Sequence, residues 1–165
     1  MSTRYQQIIK HKQYQSHLEQ IKAFEVDRIF CKHDLSHFVD VARIAYILCL
    51  ENKIVLQGFD LKDIIYAAAM CHDIGRHIEY MNDISHEIAS AQLCVDILQD
   101  VGYSKGEIDL IVDIILSHRS KTLNEQKSIQ AFFNQADKLS RACFNCHVSG
   151  ECNWDINKKN IEIKY

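Results

Sequence analysis

The sequence predicts an all-α fold, a bundle of about six or seven helices. The chain of 165 residues has no proline and five glycines, so the two residue types that most often interrupt helices are scarce. Apolar residues recur at helical spacing, and no segment alternates apolar and polar residues as a half-buried strand does. The length suits a single domain with a sizeable core.

Capping residues and glycines mark the ends of six predicted helices. Ser85 and Ser128 are expected N-caps, Ser104 begins a Ser-x-x-Glu capping box, and Asp60 opens the third helix. Gly75 follows the third helix and is interpreted as its stop signal. The six helices are expected at about residues 2–30, 35–52, 60–72, 85–101, 104–118 and 128–139.

Charge and hydropathy argue against two classes of partner. Nineteen basic and 22 acidic residues give a net charge of −3, which argues against binding to duplex nucleic acid but leaves small phosphorylated ligands open. No apolar run approaches the roughly 20 residues that a membrane-spanning helix needs. Residues 1–22 are polar rather than signal-like, so we expect a cytoplasmic protein. Its oligomeric state stays open, because the N-terminal amphipathic segment could pack on the domain or mediate a dimer.

Six residues of metal-ligand type lie at the ends or on the inner faces of the predicted helices. They are His37, His72, Asp73, His86, His118 and Asp137. His37 shares a helix face with apolar residues, so its imidazole is expected to point toward the core. His72 and Asp73 are adjacent where a helix unwinds, and Asp137 would be costly to bury without a positive partner. A single such residue is usually hydrogen-bonded or solvated, but the ordered set predicts a shared metal site.

Mixed imidazole and carboxylate ligands indicate the kind of cation. They suit manganese, iron, cobalt, nickel or zinc better than calcium, and the sequence does not distinguish these metals from one another or from magnesium. One or two divalent ions are expected. A metal site of this kind usually indicates hydrolysis.

Three motifs resemble those of the HD superfamily of metal-dependent phosphohydrolases. They are His37-Phe-Val-Asp-Val-Ala-Arg, Cys-His72-Asp73-Ile-Gly75-Arg76 and Ala136-Asp137-Lys138. The resemblance covers about residues 30–142. It implies an α-helical domain that binds a divalent metal through His37, His72, Asp73 and Asp137, and many such proteins hydrolyse phosphomonoesters, nucleotides or phosphodiesters. Some members have other chemistry or none.

The resemblance also suggests roles for residues around these ligands. Several branches add two histidines that bind a second metal, and His86 and His118 match their placement. Asp73 would then bridge two cations roughly 4 Å apart. Alternatively, one metal is bound and the two histidines line the pocket. Arg76 and Lys138 are candidate phosphate-binding residues, although both could be ordinary surface charges.

Two neighbouring residues are left outside the expected site. Glu87 could support His86 or transfer a proton, but an acidic residue in the first turn of a helix is the simpler interpretation. His33, one turn before His37, is expected at the pocket rim.

A cysteine-bearing tail at residues 143–165 is expected to pack on the helical domain of residues 1–142. Cys143, Cys146 and Cys152 form a Cys-x2-Cys-x5-Cys pattern, and His147 or Cys31 could supply a fourth ligand. Zinc is the simplest occupant, and an iron–sulfur cluster is open although the spacing matches neither ferredoxin pattern. Alternatively, these are reduced thiols that bind nothing. The odd total of seven cysteines argues against a disulfide framework.

These observations predict a metal-dependent phosphohydrolase that uses a metal-activated water on a nucleotide or another small phosphate ester. The alternative is a catalytically silent sensor, in which the same pocket binds a metal or nucleotide and the cysteine tail reports metal or redox state. No motif selects the substrate.

Overall fold

Helices form the framework of the protein. The computed structural model describes residues 2–120, 122 and 127–165. Over these residues it has eight α-helices and no strand, which confirms the predicted all-α class. The helices are α1 (Arg4–Lys10), α2 (Lys12–Phe24), α3 (Leu35–Glu51), α4 (Leu61–Cys71), α5 (Arg76–Asn82), α6 (His86–Asp100), α7 (Lys105–Ser117) and α8 (Ile129–Leu139). Within that described part, none of the helices combines the length and apolar character that crossing a membrane requires.

Two features of the helix pattern were not predicted. The N-terminal segment is divided at His11, whose extended backbone (φ −69°, ψ 133°) separates α1 from α2. Gly75, interpreted from the sequence as a stop signal, is instead the N-cap of α5. The α4 helix has already ended at Cys71, with His72 at its C-cap. At seven residues, α5 is too short to show a clear helical period in the sequence.

Most of the other helix ends follow the expected local chemistry. The side chains of Asp60 and Ser128 accept hydrogen bonds from backbone N–H groups in the first turn, and Ser104 forms the complete capping box. Ser85 precedes α6 as expected, but its side chain makes no capping hydrogen bond. Gly102 follows α6 with φ 88°, a conformation that glycine adopts at little cost.

The α3, α4 and α8 helices form the centre of the bundle. The α3 helix packs against α4 and α8, α4 also packs against α1 and α7, and α6 packs against α7. The largest fully buried side chains from this region include Phe38, Ile64, Ile65, Met70, Ile111 and Phe133. Because His37 lies on α3, His72 follows α4 and Asp137 lies on α8, this packing brings segments with the predicted ligands to one interface.

The C-terminal tail, residues 143–165, returns to the helical domain. Nδ2 of the buried Asn160 donates to the carbonyl oxygens of Lys138 at 2.8 Å and Arg141 at 2.9 Å. These carbonyls lie at the C-terminal end of α8, where helical partners are missing. The Tyr165 hydroxyl lies 3.4 Å from Oε2 of Glu51, the last residue of α3. The tail therefore contacts both α8 and the end of α3.

Candidate metal centre

Imidazole and carboxylate side chains from five helical segments meet in one cluster. The structure places all six predicted ligands in it: His37, His72, Asp73, His86, His118 and Asp137. Four of them, His72, Asp73, His86 and His118, are at most 2% exposed. Two groups have ligand atoms within 4.8 Å of one another, namely His37 with His72 and Asp137, and Asp73 with His86 and His118.

The Asp73 carboxylate lies between these two groups. Its Oδ2 lies 3.4 Å from Nε2 of His72 and 3.6 Å from Nε2 of His37. Its Oδ1 lies 3.1 Å from Nε2 of His86, which in turn lies 3.2 Å from Nε2 of His118. The two oxygens of one carboxylate therefore face different sets of imidazoles.

The donor set fits a divalent cation. Nε2 of His37, Nε2 of His72 and Oδ2 of Asp73 are buried and have no hydrogen-bond partner among the described residues. A buried polar atom without a partner costs about 1 to 3 kcal/mol, which coordination of a cation would offset. Two ligand atoms each about 2.1 Å from one ion, at about right angles, lie about 3 Å apart. The separation of 3.4 Å between Nε2 of His37 and Oδ1 of Asp137 is close to this value.

Backbone carbonyls orient two of the imidazoles. Nδ1 of His72 donates to the Ala69 carbonyl at 2.8 Å, and Nδ1 of His118 donates to the Ile115 carbonyl at 2.5 Å. A carbonyl oxygen can only accept, so Nδ1 must carry the proton. In the neutral rings, Nε2 then presents its lone pair to the cluster. Both histidines directly follow a helix, where carbonyls lack helical partners.

Side chains orient the other two imidazoles. Nδ1 of His86 lies 2.8 Å from Oε2 of Glu79, and Nδ1 of His37 lies 3.1 Å from Oγ of Ser140. The Ser140 hydroxyl donates to the Asp137 carbonyl, so its oxygen can accept from His37. Hydrogen bonds of this kind fix the tautomer and orientation of metal-binding histidines.

The charges around the cluster favour ionised carboxylates and a neutral His118. Burial would raise the pKa of Asp73, but His72 and the Arg76 guanidinium hold that pKa well below its usual value. Burial likewise opposes ionisation of Asp137, and the His37 imidazole 3.4 Å away, together with the nearby charge of Arg141, lowers its pKa. Burial lowers the pKa of His118 to about 4. These protonation states are the ones that metal coordination requires.

The two predicted phosphate-binding residues already have partners within the protein. Nε of Arg76 lies 3.1 Å from Oδ1 of Asp73, and one terminal nitrogen lies 3.3 Å from Oε2 of Glu79. Nζ of Lys138 donates to Oδ1 of Asn134 at 2.6 Å. The Asn134 amide in turn donates to the carbonyl of His118. Arg76 therefore lies against the cluster, whereas Lys138 is linked to it only through Asn134, and contact of either residue with phosphate stays a prediction.

Sequence reasoning missed part of the surroundings of the cluster. His33, expected at the rim, is 4% exposed, and its Nε2 lies 3.9 Å from Oδ2 of Asp73. Nδ1 of His33 hydrogen-bonds to the buried carboxylate of Glu25. The position of His33 four residues before His37 was an available signal, although His33 precedes α3, which begins at Leu35. Nothing comparable pointed to Glu79, because its short helix was not predicted.

Glu87 lies closer to the cluster than the sequence suggested. Its Oε2 lies 3.8 Å from Nδ1 of His86, and Glu79, His86 and Glu87 form a third group with ligand atoms within 4.8 Å of one another. Arg119 lies 3.3 Å from Glu79 and 3.4 Å from Glu87, so it balances the two acids. These residues form the outer edge of the site around His86.

A cavity of about 400 Å³ opens beside His37. Its wall comes from the loop before α3 and from the start of the tail, and it includes Lys32, Arg141 and His147. Pockets for small ligands typically measure about 300 to 1,000 Å³. The cavity therefore offers space for a small molecule next to His37.

The fold and the cluster define a class of protein, an α-helical domain with a candidate centre for divalent metal. The sequence matches the HD domain family over residues 34–142, and the chain belongs to this family. The chain is 43% identical over 162 residues to an uncharacterized protein of Clostridium beijerinckii. The alignment covers 98% of this chain and 99% of that protein. The structure is similar, with a TM-score of 0.61 and 22% identity, to the crystal structure of a predicted HD superfamily hydrolase from an uncultured Thermotogales bacterium. That match covers 91% of this chain and 80% of the other, and it supports a shared fold.

Proposed function

We propose that this chain is a metal-dependent phosphohydrolase that acts on a nucleotide or another small phosphate ester. The observation that carries the proposal is the placement of Asp73, whose two oxygens face separate groups of inward-pointing imidazoles. Membership of the HD domain family supports it. The sequence-based alternative is a sensor without catalytic activity, which would use the same pocket. Hydrolysis assays distinguish these two functions.

The proposed centre holds one or two divalent ions. His37, His72, Asp73 and Asp137 would hold one ion, and Asp73 with His86 and His118 would hold a second. A bound divalent ion offsets phosphate charge and lowers the pKa of a coordinated water from about 15.7 toward about 7. The donors suit manganese, iron, cobalt, nickel, zinc or magnesium.

The protein's own side chains would bind and orient the substrate. Lys32 and Arg141 line the cavity beside His37 and would contact an anionic group there, although the carboxylates of Asp34 and Asp40 line the same cavity. Arg76 is 19% exposed at its side chain and lies against Asp73, which suits it to contact a phosphoryl oxygen next to the cluster. We assign a similar role to Lys138, which follows Asp137 on α8. Burial of the imidazoles limits the access of bulk water to the reacting group.

Hydrolysis assays test this proposal directly. The metal-free protein is supplied with Mn²⁺, Co²⁺ or Ni²⁺ and assayed with p-nitrophenyl phosphate and a panel of nucleotides, with and without a chelator. Asp73→Asn should lower activity at least about 100-fold, because it weakens both ligand groups. Asp109→Asn is the matched control, since Asp109 is 62% exposed at its side chain and pairs with Lys105 on the surface of α7.

The outcomes separate the two candidate functions. The phosphohydrolase proposal is supported if the wild-type protein hydrolyses an ester only with metal present, Asp73→Asn loses this activity and Asp109→Asn retains it. Inactivity of the metal-loaded protein on every ester would overturn it, and nucleotide binding measured by calorimetry on the same sample would then favour the sensor.

A further inference from the structure

Four cysteines surround a small cavity between the loop before α3 and the C-terminal tail. Cys31 comes from this loop, and Cys143, Cys146 and Cys152 come from the tail. Lys159, near the end of the tail, also lines the cavity. Cys31 is more than 100 residues from the other three in the sequence, so their meeting is a property of the fold.

Backbone hydrogen bonds hold the tail cysteines in tight turns. Cys143 begins a single turn of 3-10 helix, and the N–H of Cys146 donates to the Cys143 carbonyl at 3.3 Å. The N–H of Ser149 then donates to the Cys146 carbonyl at 3.3 Å. Nζ of Lys159 donates to the carbonyls of Ser149 at 2.6 Å and Cys152 at 3.3 Å. These hydrogen bonds fix the backbone at the three tail cysteines, which lie around the cavity.

The cavity has room for a single small occupant. Its volume is about 20 Å³, and a site of roughly 10 to 15 Å³ holds one water molecule. A single zinc ion with four thiolates at about 2.3 Å suits such a space. An iron–sulfur cluster has several iron and sulfide atoms and would need a larger cavity. Within the described ranges, the groups with ligand atoms already within 4.8 Å of one another consist of histidines and carboxylates. No three of the four Sγ atoms at this cavity therefore lie within that distance of one another, so they would have to move closer to bind an ion.

Positive groups beside the cavity would balance a thiolate centre. Four thiolates around one Zn²⁺ carry a net charge of −2. The Lys159 ammonium lies at the cavity, and Nε of Arg28 donates to the Cys31 carbonyl at 2.8 Å. These two cations lower the cost of placing negative charge at this position.

We propose that Cys31, Cys143, Cys146 and Cys152 bind one structural Zn²⁺. On binding, four zinc–sulfur bonds form and the four thiols release their protons to solvent, with no change of oxidation state. The ion ties the tail to the loop before α3. Because these two segments also form the wall of the 400 Å³ cavity beside His37, the ion stabilises that wall.

Cobalt substitution tests the site independently of hydrolysis. Metal-free, reduced protein is titrated with Co²⁺, and thiolate-to-cobalt charge-transfer absorption is recorded. The histidine and carboxylate cluster lacks sulfur ligands, so it does not contribute to these bands. We expect them to saturate at one thiolate-bound cobalt per chain and to disappear when Zn²⁺ is added. Absence of the bands from the wild-type protein would overturn the proposal.

Variants identify the fourth ligand. Cys31→Ser should weaken the charge-transfer absorption, as Cys143→Ser should, because each removes one sulfur ligand. His147→Ala is the control and should retain the full bands, since His147 lines the larger cavity and not the small one. Full bands in Cys31→Ser together with their loss in His147→Ala would overturn the four-cysteine site.

A measurement on the wild-type protein tests the site even if a cysteine variant fails to fold. The zinc-loaded chain is titrated with a mercurial thiol reagent, and released zinc is followed with a coloured indicator. We expect one zinc to be released as four thiols react. Zinc release without reaction of these thiols would contradict the proposal. Zinc release and thiol reaction do not depend on hydrolytic activity. An inactive protein would therefore contradict the proposed function without contradicting the zinc site.

Discussion

Nε2 of His86 lies 3.1 Å from Oδ1 of Asp73, the oxygen opposite to the one that faces His72. The carboxylate therefore connects the two groups of imidazoles. A substitution of Asp73 should affect both groups, whereas a substitution of His86 or His118 should affect one. This difference allows the number of ions in the centre to be measured.

Loss of His118 should remove one ion and leave the other. We expect His118→Gln to lower the manganese content of the centre from two ions per chain to one, because Nε2 of His118 belongs to the group with Asp73 and His86. Elemental analysis of manganese-loaded protein gives the ratio. His11→Gln is the matched control, since His11 pairs with Asp100 away from the cluster. A ratio of one in the wild-type protein would show a single-ion centre.

Glu79 should control metal affinity through His86. Its Oε2 lies 2.8 Å from Nδ1 of His86, so Glu79→Gln weakens the hydrogen bond that orients the ring. Loss of such a partner typically lowers metal affinity or activity about 10- to 100-fold. Manganese titration measures the change, and the melting temperature of the metal-free protein should change little. Glu19→Gln, at an exposed position on α2, should leave the affinity unchanged. Equal affinities in the two variants would contradict this role.

Gly75 should tolerate no side chain, because α6 approaches it closely. An added Cβ would lie 2.5 Å from the Ser90 nitrogen and 2.8 Å from the His86 carbonyl oxygen, both of which are backbone atoms. We expect Gly75→Ala to lower the free energy of unfolding by about 1 to 3 kcal/mol and to weaken metal binding, since His86 must shift. Gly150→Ala is the control, because its Cβ would meet no atom within 4 Å. Urea unfolding compares the two, and equal stability would disprove the steric explanation.

The ion pair between Arg4 and Glu107 should contribute to stability in a pH-dependent way. A hydrogen bond from Arg4 lowers the pKa of Glu107 from 4.5 to about 2 in the folded protein. A depressed pKa adds stability that is fully present above about pH 4.5 and is lost as the pH falls toward 2. Glu107→Gln retains the capping geometry with Ser104 but removes the charge.

This variant should be less stable than the wild type by about 2 kcal/mol near neutral pH. The difference should shrink as the pH falls from about 4.5 toward 2, and urea unfolding at a series of pH values measures it. Glu162→Gln, at an exposed position in the tail, should show no such dependence. A difference between Glu107→Gln and wild type that stayed constant down to pH 2 would rule out the ion pair as its cause.

The sequence contained most of the information on the fold. Absence of proline, helical spacing and capping residues predicted five helical segments close to their observed bounds, whereas the first predicted segment, residues 2–30, is two helices that end at Phe24. Local pattern did not reveal the α5 helix, because its seven residues bury one side chain, His77, and offer little periodicity. It also could not show that Gly75 is required for the close approach of α6, since such an approach depends on tertiary packing.

The candidate site was predictable in its residues but not in its supporting contacts. His72, His118 and Asp137 were identifiable because each lies at or near a helix end or among apolar neighbours. Glu79 and Ser140, which orient His86 and His37, have no motif of their own. Their roles arise from distances between helices that are remote in sequence. The cavity shared by Cys31 and the tail cysteines likewise depends on the folded chain.

The hydrogen bonds from His72 and His118 to carbonyls three residues earlier have a consequence for how the proposed centre would acquire an ion. Because these bonds arise when the helices form, the rings are oriented before any cation arrives. An incoming ion would meet a preorganised binding site, and exchange of one ion for another would not require refolding. The metal supply of the host cell, together with the ligand chemistry, would then determine which element a mature copy of the protein carries.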